Sequence, residues 1–155
     1  MNELAQQVGA ALKSRALRLV TAESCTGGWV AMALTAVPGS SDWFERGYVT
    51  YSNAAKREDL GVSEATLQRH GAVSEDTARE MAAGALKRGA AQVALAITGV
   101  AGPTGGTPGK PVGMVCFAWT YGSKMRSETK RFGGDRESVR RQSVVHALQQ
   151  VLELL

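Results

Sequence analysis

Between Gln92 and Thr98 the chain is apolar without a break: Val93, Ala94, Leu95, Ala96, Ile97. A strand that alternates polar and apolar residues can face water on one side, and this one cannot. It therefore belongs at the buried centre of a sheet. The remaining elements have to be placed around it. Leu4, Val8, Ala11 and Leu12 recur at helical spacing and predict an amphipathic helix over Asn2 to Ser14. A short apolar run, Leu17 to Val20, starts a strand that reaches Glu23. Trp29 to Val37 holds no Gly or Pro and predicts a helix that stops at Pro38-Gly39. Gly47 to Tyr51, rich in β-branched and aromatic residues, predicts a second strand. Ser52-Asn53 then caps a short helix carrying Lys56. Ser63 caps another, ending near His70-Gly71. Ser74-Glu75-Asp76 begins a longer helix with Ala78, Met81, Ala82, Ala85 and Leu86 on its apolar face, closed by Gly89. Gly113 to Tyr121 and Met125 to Phe132 read as a hairpin about Gly122-Ser123. Gly133-Gly134-Asp135 caps a last helix with Val144, Leu148, Val151, Leu152 and Leu155 turned inward. The expected fold is α/β: a three-layer α/β/α sandwich with a mixed β-sheet, one domain over residues 1–155.

The most chemically informative stretch is Thr21-Ala22-Glu23-Ser24-Cys25-Thr26-Gly27-Gly28, at the predicted strand-to-helix turn. Such a turn aims backbone N–H groups and a positive helix end at one point, which suits an anion or the oxyanion of acyl transfer. A serine there is exposed as in a nucleophile elbow. Ser24 is thus a candidate nucleophile, and equally a candidate helix cap. A nucleophilic serine needs a base. The only histidines, His70 and His146, form no Asp-His arrangement in the sequence, and the best base candidate is Lys56. Lys56 follows a strand as Ser24 does, so strand ends on one edge of the sheet would bring Ser24, Tyr51 and Lys56 together. A partly desolvated lysine has a lowered pKa and can accept a proton. A solvated Lys56 and a half-buried structural Tyr51 are the plainer readings. Cys25 is a rival nucleophile if the helix end acidifies its thiol, and otherwise a small buried filler.

Gly99 to Gly113 holds six glycines and three prolines, too permissive for a plain connector. Thr98, Gly99, Gly102, Gly105 and Gly106 let the backbone approach a ligand closely. Arg136, in the first turn of the last helix, suits a phosphate or an oxyanion, with Arg140 and Arg141 one turn on. The net charge of +4 mildly favours anionic ligands. Seven of the basic residues fall within Lys124 to Arg141, where a solvated hairpin and helix face explains most of them. No nucleic-acid-binding signature is present. No apolar run approaches the roughly 20 residues of a membrane span, and no signal-peptide core precedes residue 18, so a cytoplasmic location is the default expectation. Two cysteines make no disulfide scaffold, and no metal site or cofactor is expected. A homo-oligomer, a dimer first of all, is the usual state of a small α/β enzyme.

Ordered motifs over nearly the whole chain carry a family resemblance. They are TAESCTGG at Thr21 to Gly28, GSS at Gly39 to Ser41, VTYSNAAK at Val49 to Lys56, and LGV at Leu60 to Val62. HGAVSE at His70 to Glu75, ITGVAGPTGG at Ile97 to Gly106, KPVG at Lys110 to Gly113 and GDR at Gly134 to Arg136 follow. The sequence resembles the CinA C-terminal domain family, and within it the stand-alone nicotinamide-nucleotide amidases. The resemblance implies hydrolysis of the carboxamide of nicotinamide mononucleotide in pyridine nucleotide recycling, without a metal or cofactor. It implies Ser24 as nucleophile, Lys56 as base, Tyr51 as its assistant and Arg136 as the arginine, with Arg140 next. Thr26, Gly27 and Gly28 would stabilise the oxyanion, Ser41 would contact substrate, and the glycine-rich loop from Thr98 to Gly106 with Arg136 would hold the ribose phosphate. Many relatives carry Thr where this chain has Met114, which implies a packing difference. Longer relatives carry a further N-terminal domain, so this chain is expected to act by itself. A nucleotide-binding module without catalysis, linked to competence or DNA-damage responses, and a Cys25-dependent amidase remain open alternatives.

Overall fold

The apolar run at 93–97 lies in the middle strand of a five-stranded sheet in the computed structural model, which describes residues 1–155. The strands are β1 (Leu19–Glu23), β2 (Phe44–Val49), β3 (Val93–Gly99), β4 (Met114–Tyr121) and β5 (Lys124–Arg131), in the order β2-β1-β3-β4-β5. β1 runs parallel to both β2 and β3, whereas β4 is antiparallel to β3 and β5. The sheet is therefore mixed. Helices α1 (Asn2–Ser14), α2 (Trp29–Thr35) and α6 (Arg136–Leu154) cover one face, and α3 (Asn53–Leu60), α4 (Glu64–His70) and α5 (Glu75–Arg88) the other. This is the expected three-layer α/β/α sandwich.

Residue size alternates along the central strands and makes the two faces unequal. Val93, Leu95 and Ile97 of β3 and Val115, Phe117 and Trp119 of β4 point into the α1–α2–α6 core. Ala94, Ala96, Cys116 and Ala118 point the other way, toward Ala78, Met81, Ala82 and Ala85 of α5. Small side chains on both partners let α5 lie close to the sheet. The same economy holds between α3 and α5, where a Cβ on Gly84 would come within 1.8 Å of the Leu60 carbonyl oxygen.

Local chemistry starts the helices where the sequence predicts. Ser52, Ser63 and Ser74 accept hydrogen bonds from the N–H groups of Ala55, Thr66 and Thr77, and Asp135 accepts from Ser138. Some bounds differ. β2 spans Phe44–Val49, whereas residues 47–51 are predicted, because its only strand partner is β1, whose last pair is Glu23 with Val49. The Thr50 N–H still reaches the Glu23 carbonyl at 2.9 Å, and Tyr51 then leaves the sheet. α2 ends at Thr35 in a turn ahead of Pro38. Gly89 ends α5 in an extended conformation, with φ −102°.

Parallel strands end on a common edge, and the connections leaving the C-terminal ends of β1, β2 and β3 meet there, as ligand sites in open α/β sheets do. Gly84 is a direct test of the packing. Gly84→Ala should destabilise the fold by about 1–3 kcal/mol through overpacking, lowering the melting temperature by roughly 2–4 °C per kcal/mol. An unchanged thermal melt would mean that α3 and α5 do not pack this closely.

Candidate active site

Ser24 is the first residue past β1. Its N–H donates to the Ile97 carbonyl at 2.9 Å, and its own carbonyl accepts the Gly27 N–H at 2.9 Å. The chain then turns through Gly27 (φ 60°) and Gly28 (φ 102°), left-handed positions that glycine occupies without strain. The turn leaves Ser24 only 8% exposed at the edge of the sheet. From the neighbouring strand end, the Ser52 cap starts α3 and sets Lys56 in its first turn. The Lys56 side chain is buried, 2% exposed. Its Nζ donates to Ser24 Oγ at 3.1 Å and to the Thr50 carbonyl at 3.0 Å.

Lys56 has no carboxylate within ion-pairing distance. Burial lowers its pKa below the ordinary lysine value, because a charged ammonium would give up hydration without a counter-ion. A buried amine that gives up its proton more readily than an exposed lysine, in contact with a serine hydroxyl, is the arrangement of an activated nucleophile. The surface-charge reading of Lys56 does not survive its burial.

Cys25 has the opposite character. Its thiol is 5% exposed. Burial pushes its pKa up to about 12, against the smaller opposing pull of its own N–H and of the Arg140 and Lys56 charges. The thiol is therefore held neutral, and the expectation of a thiol acidified by the helix end is corrected.

The helix end is occupied by a residue the sequence reading did not single out. Glu23 is fully buried at the last position of β1. Its Oε1 accepts from Thr26 Oγ1 at 2.6 Å and from Val30 N at 2.9 Å, and its Oε2 accepts from Ala31 N at 3.0 Å. A carboxylate of the chain thus takes the positive end of α2, which is not free for a ligand. Ser24 makes no capping bond, so its alternative role as a helix cap is also corrected. A charged residue closing an all-buried strand was the available signal, since a buried carboxylate needs several donors. Around the turn, the N–H groups of Cys25, Thr26 and Gly28 have no backbone carbonyl partner, whereas that of Gly27 is used by Ser24.

A cavity of about 290 Å³ opens in front of Ser24 and Lys56, bordered by Tyr51, Thr98 and Arg136. Gly99, Gly102 and Gly105 form its loop wall. Tyr51, 60% exposed, stands at its mouth. Arg136 joins two sides of the cavity by donating to the Gly102 carbonyl at 2.8 Å and to Tyr51 Oη at 3.0 Å. Thr98 spends its hydroxyl on the Ala72 carbonyl at 2.8 Å.

Other expected site residues lie elsewhere. Ser41 is exposed in a short 3-10 turn before β2, at the opposite edge of the sheet from Ser24, and does not line the cavity at Ser24. Gly106 packs against Val112 within its own loop, where a Cβ would come within 2.9 Å of the Val112 nitrogen. Gly27 and Gly28 border a second cavity, not the one at Ser24. Arg140 reaches the turn from behind, donating to the carbonyls of Cys25 at 3.1 Å and Thr26 at 3.2 Å. His70 pairs with Asp76 and His146 with Glu128, away from the serine. No three His, Cys, Asp or Glu side chains are grouped to hold a metal ion.

Comparison with known proteins assigns the chain to a family. The family model described as the CinA C-terminal domain matches residues 1–155. The nicotinamide-nucleotide amidohydrolase PncC of Escherichia coli K12 is 55% identical over 149 residues, covering 95% of this chain and 90% of that protein. The protein of the same name from Pseudomonas putida is 52% identical over 151 residues, covering 97% and 94%. Among solved structures, the competence/damage inducible protein CihA of Agrobacterium tumefaciens superposes with a TM-score of 0.97 at 44% identity, covering 99% of this chain and 94% of that one.

The buried, neutral thiol has a measurable consequence. Native protein at pH 8 should leave Cys25 unmodified by iodoacetamide over hours, whereas denatured protein should label rapidly, as peptide mass spectrometry would show. Rapid labelling of the native state would restore Cys25 as a reactive residue.

Proposed function

The chain belongs to the CinA C-terminal domain family, and from that premise we propose that it hydrolyses the carboxamide of nicotinamide mononucleotide through Ser24 and Lys56. The products are nicotinic acid mononucleotide and ammonia, a step of pyridine nucleotide recycling. The observation that carries the reading is the 3.1 Å contact between Ser24 Oγ and a buried Lys56 amine that has no counter-ion.

Neutral Lys56 takes the hydroxyl proton as Ser24 Oγ attacks the carboxamide carbon. The new C–O bond turns the carbonyl oxygen into an oxyanion. The unpaired N–H groups of Cys25, directly after the nucleophile, and of Thr26 supply donors to it. Collapse of the tetrahedral intermediate breaks the C–N bond, and the Lys56 ammonium returns its proton to the leaving nitrogen. Ammonia departs from a nicotinoyl ester on Ser24. Water then attacks the ester as Lys56 again takes a proton, and Ser24 leaves as the restored hydroxyl. Tyr51, held by Arg136, borders the substrate at the mouth of the cavity, and the loop glycines admit it without side-chain obstruction.

The base must be neutral to act, so kcat/KM should rise with pH through the Lys56 pKa. Because burial lowers that pKa, the rise should fall at lower pH than an exposed lysine would give. Lys56→Met should cost roughly 10²–10⁴-fold in ammonia release. Ser24→Ala should abolish ammonia release and still bind the nucleotide. Near-normal turnover by Ser24→Ala would sink the mechanism. Nucleotide binding by the wild-type protein with no ammonia released would leave a binding module instead.

A further inference from the structure

Beside the catalytic cavity lies a larger one of about 590 Å³ that the chemistry above does not use. We propose, on the basis of the amidase reading, that this cavity receives the phosphate monoester of the nucleotide while the carboxamide reaches Ser24. Arg136 borders both cavities, and its bonds to Gly102 and Tyr51 make it the partition between them. A ligand with a neutral amide at one end and a dianion at the other fits two such compartments.

The charge distribution separates them. The glycine-rich loop has no Lys or Arg between Thr98 and Gly109, and Lys110 is turned to the His70 carbonyl. In the cavity at Ser24, Lys56 is driven toward its neutral form. The neighbouring cavity holds Arg136 and Arg140, one helical turn apart on α6. Neither guanidinium has a carboxylate within ion-pairing distance. Like charges at this spacing repel. The acidic side chain in the lining, Glu137, bonds to Arg141 at 2.9 Å and leaves the pair uncompensated.

Both arginines are also pre-positioned. Arg140 is held by the Cys25 and Thr26 carbonyls and lies over the Trp29 ring, 5.4 Å from its centroid. The five donors of a guanidinium exceed the bonds each side chain makes to the protein, so N–H groups remain for an anion. Gly27 and Gly28 bring backbone to the cavity without side chains, and the Gly28 N–H is unpaired. Two fixed guanidiniums and an open N–H suit a phosphate dianion.

Binding to the inactive Ser24→Ala protein tests this without turnover. Trp43 and Trp119 are buried, so the partly exposed Trp29 reports on the cavity by its fluorescence. Inorganic phosphate should shift that emission saturably and compete with nicotinamide mononucleotide. The mononucleotide should bind at least about tenfold more tightly than its riboside, which lacks the phosphate. In the Ser24→Ala background, Arg140→Gln should remove the phosphate response and reduce that preference about tenfold, and Arg140→Lys should restore part of it. If Arg140 only supports the turn, nucleotide and riboside will weaken equally, and the proposal fails. It also fails if phosphate binds undiminished in the presence of saturating mononucleotide, which would mark a separate effector site. Absence of ammonia release by the wild-type protein bears on the amidase reading alone.

Discussion

The contact between a buried carboxylate and the first turn of a helix holds the site in place. Glu23 closes β1 and, through both oxygens, binds the N–H groups of Val30 and Ala31 and the Thr26 hydroxyl. Strand, turn and helix are thereby fixed to one another across the residues that bear Ser24. Charge-assisted bonds of this kind are about twice as strong as neutral ones. They also offset the burial of a charge that would otherwise be costly. Arg140 holds the same turn by two of its carbonyls. The turn that bears Ser24 is thus held to α2 by an anion through the Thr26 hydroxyl and to α6 by a cation through two carbonyls.

Lys56 differs from the other cations near the site in being buried, whereas Arg136 is exposed and Arg140 half-buried. Glu23 is buried with three donors, and Arg136 and Arg140 are partnered by carbonyls or a phenol. Lys56 is buried with a serine hydroxyl and one carbonyl. Its environment supplies no anion, so desolvation dominates and weakens the ammonium. That deficiency makes an amine useful as a base. Cys25, one residue from Ser24, is neutralised by the same cause acting on a group of opposite charge type. Burial thus weakens the ammonium beside Ser24 and holds the neighbouring thiol neutral.

Much of this was legible in the chain. Serines 52, 63 and 74 and Asp135 announced their helices because a cap is a local bond between residues three apart. The Ser24–Lys56 pairing followed from two strand ends sharing an edge. Ser41 lies away from Ser24 because a motif at a strand's beginning sits at the far edge of a parallel sheet from residues at strand ends. Glu23 went unread because its partners include helix N–H groups seven and eight residues away, which no side-chain pattern displays.

The sequence by itself determined the layers, the central strand, the helix starts and the candidate chemistry at Ser24. These rest on hydrophobic pattern and short-range bonding, which are properties of neighbours in the chain. Only the tertiary structure decided that Lys56 is buried without a counter-charge, that the Cys25 thiol is neutral, and that α2's end is already filled. It also decided that two arginines face a cavity beside the serine. Desolvation and ion pairing depend on what lies within a few ångströms in space, and Ser24 meets Lys56 across 32 residues of chain and Cys25 meets Arg140 across 115.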